Sequence, residues 1–233
     1  MSGNNDIAEN VKRVRDAIAE AAICSGRKPE EISLVAAAKT QSSEKIRKAI
    51  AAGVDAVGEN RVQEMLEKTA QSAYKGAPLH FIGHLQSNKV RQIVGVCNLI
   101  ESVGSPELVE LIGKRAVSLG IAQDVLIEVN IGKEPQKSGV FPERLGETLE
   151  IAAKTEGVNV LGIMSVPPFT QEIGSDQRYF DAMFHLFLDM GAKKYDNVSM
   201  RFLSMGMSDS YKEAILAGSN MVRIGTAIFG ERT

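Results

Sequence analysis

Cysteine, tryptophan and long hydrophobic stretches are scarce or absent in this chain of 233 residues. Its two cysteines, Cys24 and Cys97, lie far apart and form no C-x-x-C pair, so we expect two free thiols rather than a disulfide or a metal site. No window approaches the roughly 18 apolar residues of a membrane span. The charged N-terminal segment lacks the apolar core of a signal peptide, and this favours a cytoplasmic protein with no membrane partner.

A strong net charge is also missing. The chain has 27 Lys and Arg against 29 Asp and Glu, which gives a formal net charge of -2. This balance creates no overall field that attracts nucleic acid, so nucleic acid is not expected as a partner. Because no linker or shift in composition divides the sequence, we predict a single domain over residues 1–233.

Apolar runs rich in Val, Ile and Leu alternate with longer segments of helical period. Residues 6–24 come first and carry an apolar stripe, which predicts an N-terminal helix. Continuous apolar runs are typical of buried parallel strands. Eight such strands are predicted, at Ile32–Ala38, Val54–Gly58, Leu79–Gly83, Asn98–Ser102, Asp124–Asn130, Val160–Val166, Arg201–Met205 and Met221–Gly225.

Helical segments separate the predicted strands. They are predicted at Ser43–Ala52, Arg61–Ser72, Ser87–Val94, Pro106–Leu119, Pro142–Thr155, Asp176–Met190 and Ser208–Ala217. Eight βα units within about 250 residues favour an α/β fold of the TIM (β/α)8 barrel type. The barrel would span about residues 32–230, with the N-terminal helix as an addition. A doubly wound open sheet is the main alternative.

Lys39 directly follows the first predicted strand. At the exit of a buried strand, desolvation lowers the pKa of a lysine amine and frees it to attack a carbonyl. Groups at the strand exits of a barrel converge on one rim, so we expect Lys39 to lie near Asn60 and His84. Lys137 is a competing amine, although a solvated loop lysine is its simpler interpretation.

Serine, glycine and threonine follow the seventh and eighth predicted strands. Ser204, Ser208 and Thr226 offer hydroxyl donors, and Gly206 and Gly225 allow backbone N–H groups to approach an anion closely. Loops at these two positions are the usual phosphate site of a TIM barrel. Ser208 also resembles the start of a helix, whose N-terminus favours an anion. Each residue alone is explained as a loop or capping residue, but the set predicts a phosphate site.

Arg223 indicates which kind of ligand the site binds. Period-two alternation places it on the same strand face as Gly225, so it faces the barrel interior if Gly225 faces the site. A buried arginine stays charged and needs an acceptor. A pyridine nitrogen would serve, and an internal salt bridge to Glu59 or Glu128 is the alternative. A lysine amine, a phosphate site and this cation are the parts that hold pyridoxal phosphate.

Other residues are less informative. His185 lies among apolar residues and is predicted to be a core histidine, and His80 is assigned no role. Met164 and Met207 are expected to fill gaps at the mouth of the barrel. No metal site and no catalytic residue are predicted.

These residues resemble the pyridoxal phosphate homeostasis protein family, whose members are similar to the N-terminal barrel domain of bacterial alanine racemase. The matching segments span nearly the whole chain: Leu34–Thr40, Gly58–Glu64, His80–Lys89, Lys137–Gly139, Gly162–Met164, Leu203–Ser208 and Arg223–Gly230. The resemblance implies that Lys39 forms an internal aldimine with pyridoxal phosphate and that Arg223 approaches its pyridine nitrogen. It also implies that Ser204, Gly225 and Thr226 hold the phosphate and that Asn60 lies near the ring.

The family resemblance implies a carrier or regulator that buffers vitamin B6, with PLP-dependent apo-enzymes as possible recipients and no established turnover. An amino-acid racemase is the first alternative, but racemisation needs a second acid/base, which in alanine racemase is a tyrosine from the partner subunit's second domain. Tyr74, Tyr179, Tyr195 and Tyr211 occupy no obvious strand exit, so we expect a carrier. A monomer is expected because the racemase's dimer contacts involve its second domain. A lysine-dependent aldolase is the second alternative, which Arg223 fits poorly.

Overall fold

Eight parallel strands close into a barrel in sequential order in the computed structural model, which describes residues 6–168 and 176–231. The predicted TIM barrel is confirmed. The strands are β1 Ser33–Ala37, β2 Ala56–Glu59, β3 Leu79–Phe81, β4 Leu99–Val103, β5 Gln123–Glu128, β6 Val158–Met164, β7 Val198–Ser204 and β8 Met221–Ile224. Because β1 pairs with both β2 and β8, the residues that follow these three strands are neighbours at one end of the barrel.

Nine helices accompany the strands within the described ranges. They are α1 Ile7–Cys24, α2 Ser43–Ala51, α3 Val62–Ala70, α4 Val90–Ile93, α5 Pro106–Ser118, α6 Leu145–Lys154, α7 Gln177–Gly191, α8 Tyr211–Leu216 and α9 Thr226–Phe229. Short 3₁₀ helices lie at Pro29–Glu31, Ser87–Lys89 and Pro142–Arg144. None of the helices in these ranges has the length and apolar character that crossing a membrane requires.

The added N-terminal helix forms as predicted. Asp6 caps α1 by accepting a hydrogen bond from the backbone N of Ala8 at 2.9 Å. The apolar stripe of α1 is buried, and the Asn10 side chain donates to the carbonyl oxygen of Ile228 at 2.9 Å. Helix α1 is therefore fixed to α9, the helix that directly follows β8.

One helix prediction near the site differs from the structure, and one helix there was not predicted. The predicted helix Ser208–Ala217 begins only at Tyr211, so Ser208 lies in the turn before α8 rather than at a helix N-terminus. Helix α9 was not predicted, because its four residues are too few for a helical period to be recognised. The carboxyl ends of all eight strands nevertheless lie within three residues of their predicted positions.

The barrel interior is filled by a small apolar cluster, distinct from the larger core between strands and helices. Its members lie on the inward-facing positions of their strands: Val35, Ala56, Leu99, Leu126, Met164 and Met221. Polar residues occupy the inner face beyond this layer, towards the carboxyl ends of the strands. The fold therefore places a polar, partly buried mouth over an apolar floor.

Candidate cofactor-binding site

Lys39 leaves the barrel through a tight turn directly after β1. The turn is closed by Gln41 N, which donates to the carbonyl oxygen of Ala38 at 2.8 Å, and Ala38 N donates to Gly58 O at 2.9 Å. Lys39 has a backbone φ of +39°, in the left-handed region that residues other than glycine seldom adopt. Its side chain is half-buried. The surrounding hydrogen bonds thus fix where the lysine leaves the sheet.

Asn60 follows β2 at the same end of the barrel. The chain after β3 passes close to it, since a Cβ added to Gly83 would lie 2.1 Å from the backbone oxygen of Asn60. Among the residues that the structure describes, Asn60 Oδ1 is buried without a hydrogen-bond partner, and so is the hydroxyl of Ser165 after β6. Buried polar atoms in proteins are nearly always satisfied. These two orphaned atoms at the mouth fit a polar ligand such as pyridoxal phosphate.

The two methionines of the predicted site lie at different depths. Met164 is 1% exposed on the inner face of β6, where it belongs to the apolar floor. Met207 is 41% exposed on the rim after β7. Of the two, Met207 therefore borders solvent, whereas Met164 lies beneath the mouth.

Ser208, Gly225 and Thr226 form the predicted phosphate site. Ser208 Oγ accepts from Gly225 N at 3.2 Å and from Ala227 N at 3.4 Å, so two backbone donors point at one hydroxyl on the rim. Thr226 is exposed. Gly225 passes close to β1, since an added Cβ would lie 3.2 Å from the carbonyl oxygen of Ala37. The three residues are adjacent at the junction of β8 and β1, on the Lys39 side of the mouth.

Ser204 lies deeper than the other predicted phosphate residues. It is 0% exposed, and its hydroxyl donates to Glu101 Oε2 at 2.7 Å while accepting from Arg223 Nη1. Both partners are themselves inside the barrel. The structure therefore separates Ser204 from the rim group and joins it to a buried polar network.

This buried network crosses the barrel from β3 to β8. Arg223 is 4% exposed, and its Nη2 donates to the carbonyl oxygen of Ser165 at 2.8 Å while its Nη1 donates to Ser204, contacts that confirm that it faces the barrel interior. Its Nη1 lies 3.8 Å from Glu101 Oε2. On the far side, His80 Nδ1 lies 2.7 Å from Glu101 Oε1. Glu101 thus links a histidine to the predicted cofactor arginine.

The electrostatics of the network follow from burial and pairing. Burial acts to raise the pKa of the Glu101 carboxyl, but His80, Arg223 and Ser204 outweigh it and hold this pKa below its usual value. Burial lowers the pKa of Arg223, and the carboxylates of Glu101 and Glu128 oppose that effect. Since arginine is deprotonated only far above neutral pH, the pair is a carboxylate and a guanidinium.

Glu128 ends β5 on the opposite side of the mouth from Lys39. It is 8% exposed, its Oε1 accepts from Ser138 Oγ at 2.9 Å, and its Oε2 has no hydrogen-bond partner within residues 6–168 and 176–231. Burial raises the pKa of its carboxyl above the usual value, and the hydrogen bond from Ser138 opposes this only in part. A cavity of about 410 Å³, lined by Ile82, His84, Glu128 and Lys137 among others, opens beside it.

Three further predictions from the sequence concern Arg223, His185 and Lys137. The alternative of an internal salt bridge is confirmed, but with a different partner: Arg223 lies 3.8 Å from Glu101. The two named carboxylates are engaged elsewhere, since Glu59 faces α3 and pairs with Lys68, and Glu128 accepts from Ser138. The prediction that His185 is a core residue is also wrong, because His185 is exposed on α7. Lys137 is an exposed loop residue as predicted, 2.5 Å from Glu134.

His80 and Glu101 are the residues that sequence reasoning missed. Each is a polar residue within an apolar run, so neither was predicted as a site residue. The alternation that placed Arg223 inside also places His80 on the inner face of β3, which pairs with β4. A histidine and a glutamate on the inner faces of adjacent strands were the signal for a buried pair.

Comparison with known proteins places this geometry in a family. The family model "Alanine racemase, N-terminal domain" matches residues 5–233. A pyridoxal phosphate homeostasis protein from Aquifex aeolicus is 42% identical over 96% of this chain and 97% of its own length. One from Escherichia coli is 37% identical over 98% and 97%. The solved structure of PipY from Synechococcus elongatus with PLP bound covers 91% of this chain and 100% of its own, at 30% identity and a TM-score of 0.79.

The fold and the matched residues define a barrel of the alanine racemase N-terminal type, with a lysine at the end of its first strand. Within that class, the chain belongs to the pyridoxal phosphate homeostasis protein family.

Proposed function

We propose that this chain binds pyridoxal phosphate through Lys39 as a lysine aldimine and takes part in intracellular vitamin B6 homeostasis as a carrier or regulator without turnover. The observation that carries the proposal is that β1 and β8 are adjacent strands. They bring Lys39, the buried Arg223 and the rim residues Ser208, Gly225 and Thr226 to one end of the barrel. The PLP-bound relative supports the identity of the ligand.

Each part of the site has a separate task. The cofactor supplies an aldehyde that reacts with amines, and Lys39 supplies the amine. Arg223 donates from Nη1 to Ser204 and from Nη2 to Ser165. A guanidinium has five N–H groups, so Arg223 has further N–H groups with which to bind a ligand. Because it only donates, a pyridine nitrogen beside it accepts and stays unprotonated, which restrains carbanion chemistry.

Within this proposal Ser204 positions Arg223 and the rim holds the phosphate. Ser208 and Thr226 provide hydroxyl donors beside Lys39, and Gly225 N, which donates to Ser208 Oγ, orients the Ser208 hydroxyl. Ser204 is enclosed between Glu101 and Arg223, so its hydroxyl orients the guanidinium. Asn60 and Met207 would border the ring, and Met164 would lie beneath it.

Replacement of Ser208 tests the phosphate site. We expect Ser208→Ala to weaken pyridoxal phosphate binding about tenfold, the effect of losing one hydrogen bond to a charged group. Binding of pyridoxal, which lacks the phosphate, should change little. The measurement is a spectroscopic titration of both aldehydes, with Ser118→Ala on the exposed end of α5 as the matched control. Equal losses for both aldehydes would contradict the assignment.

A racemase is the second candidate, and the positions of Tyr74 and Tyr179 weigh against it. Tyr74 donates to Glu59 Oε1 at 3.0 Å, outside the barrel wall, and Tyr179 lies on α7 beside Arg178. Two-base racemisation needs a proton donor opposite the lysine. We therefore expect the purified, PLP-loaded protein not to interconvert alanine enantiomers, as measured by chiral chromatography. Interconversion at ordinary enzymatic rates would favour the racemase.

The proposed role also includes a location in the cell and recipients for the cofactor. We propose that the protein acts in the cytoplasm as a monomer and hands its cofactor to PLP-dependent apo-enzymes. A mouth that leaves Met207 and Thr226 exposed suits a cofactor that must depart. The test is reactivation of an apo-enzyme by the loaded protein, compared with an equal concentration of free pyridoxal phosphate.

A further inference from the structure

Three buried polar side chains lie behind Lys39, between the barrel wall and α3, and the proposed binding of the cofactor uses none of them. Glu59 ends β2, Lys68 lies on α3 and Tyr74 follows α3. Glu59 is 0% exposed, and Lys68 and Tyr74 are both 8% exposed. Buried lysine and glutamate are rare unless they are paired. We call these three residues the outer cluster.

The contacts of the outer cluster lead to the backbone of Lys39. Lys68 Nζ lies 2.7 Å from Glu59 Oε1, and Tyr74 donates to the same oxygen at 3.0 Å. Lys68 Nζ also donates to the backbone carbonyl oxygen of Lys39. An ammonium group has three donors, so Lys68 bridges a buried carboxylate and the residue that carries the reactive amine.

The conformation of Lys39 explains why such a bridge matters. A non-glycine residue at a φ of +39° persists only where its surroundings hold it there. The turn hydrogen bond between Gln41 and Ala38 leaves the carbonyl of Lys39 out of the turn, and Lys68 binds that carbonyl from the α3 side. The carbonyl and the Cβ leave the tetrahedral Cα of Lys39 in different directions, so a carbonyl bound on the α3 side is compatible with a side chain directed away from α3.

We propose that Lys68 is a positioning residue for Lys39, an inference that rests on the proposed function. By holding the carbonyl of Lys39 on the outer side, it directs the Cα–Cβ bond of Lys39 towards the mouth of the barrel. Glu59 neutralises the ammonium of Lys68, and Tyr74 fixes Glu59. The amine is thereby held where the aldehyde carbon of pyridoxal phosphate arrives, before any ligand binds.

The experiment compares two ligands that differ at the aldehyde. We expect Lys68→Met to weaken pyridoxal phosphate binding about tenfold and pyridoxine 5'-phosphate binding, which involves no aldehyde, by less than about twofold. Lys68→Arg, which keeps a cation at this position, should restore most of the difference. Because Lys68→Met leaves the buried carboxylate unpaired, the double variant Glu59→Gln/Lys68→Met is measured beside it.

A second readout does not depend on pyridoxal phosphate. The rate at which trinitrobenzenesulfonate modifies Lys39, relative to exposed Lys75, is followed by peptide mass spectrometry, and it should change severalfold in both Lys68→Met variants. Lys114→Met is the matched control, because it makes the same change at an exposed lysine on α5, away from the outer cluster. It should leave both readouts near those of the wild type.

The outcomes separate the two claims. Unchanged ligand selectivity and unchanged Lys39 labelling in both variants would overturn the positioning role, as would an equal loss for both ligands. If the wild type binds neither ligand, the proposed function fails, and the labelling ratio still decides whether Lys68 orients Lys39.

Discussion

Replacement of Lys39 by alanine should abolish borohydride trapping of pyridoxal phosphate on the protein. Borohydride reduces an imine to a stable amine, so trapping reports the covalent bond rather than occupancy of the site. Non-covalent binding should persist in part, because Ser208, Gly225 and Thr226 remain. The measurement is whole-protein mass spectrometry after reduction, which detects one added pyridoxyl phosphate group per chain in the wild type.

Lys137→Ala is the matched control for that experiment. Lys137 is the other amine considered at this end of the barrel, but it is exposed and lies 2.5 Å from Glu134. We expect Lys137→Ala to be trapped as fully as the wild type. Undiminished trapping in Lys39→Ala would mean that another lysine carries the cofactor.

Replacement of Arg223 by glutamine should lower the free energy of unfolding and change the visible spectrum of the bound cofactor. It leaves Glu101, which is 0% exposed, without its guanidinium, and breaking a buried ion pair in this way costs about 3–5 kcal/mol in the free energy of unfolding. In the bound state, loss of the cation raises the pKa of the ring nitrogen. The visible band of the bound cofactor and its pH dependence should then both change.

Two measurements separate these effects. Denaturant unfolding of Arg223→Gln and of the double variant Glu101→Gln/Arg223→Gln tests the ion pair, since the second change removes the carboxylate that has lost its guanidinium and should recover part of the loss. A pH titration of the visible spectrum tests the nitrogen. If Arg223→Gln keeps the wild-type spectrum at every pH, Arg223 has only a structural role.

The sequence alone was sufficient for the architecture, because each strand is a short apolar run that needs burial on both sides. It also placed Arg223 correctly, since alternation along β8 follows from backbone geometry. The same rule would have excluded Glu59 as its partner, because Gly58 and Glu59 point to opposite sides of β2. Helix α9 was missed because a four-residue helix shows no period.

The contacts that determine the chemistry were harder to predict. Lys68 reaches the carbonyl of Lys39 across 29 positions of the chain, and no local pattern specifies that approach. His185 was misplaced because apolar neighbours in sequence lie on several faces of α7. The set of cofactor residues came partly from family resemblance, and their contacts with pyridoxal phosphate stay a prediction. The structure adds that Ser204 belongs to the buried network and Ser208 to the rim.

The central claim is tested most directly by the visible spectrum of the purified wild-type protein, titrated with pyridoxal phosphate and then reduced with borohydride. The account predicts an imine absorption band that disappears on reduction, with the label mapped by peptide mass spectrometry to Lys39. A protein that remains colourless under excess pyridoxal phosphate, or a label that maps to any other residue, would contradict it.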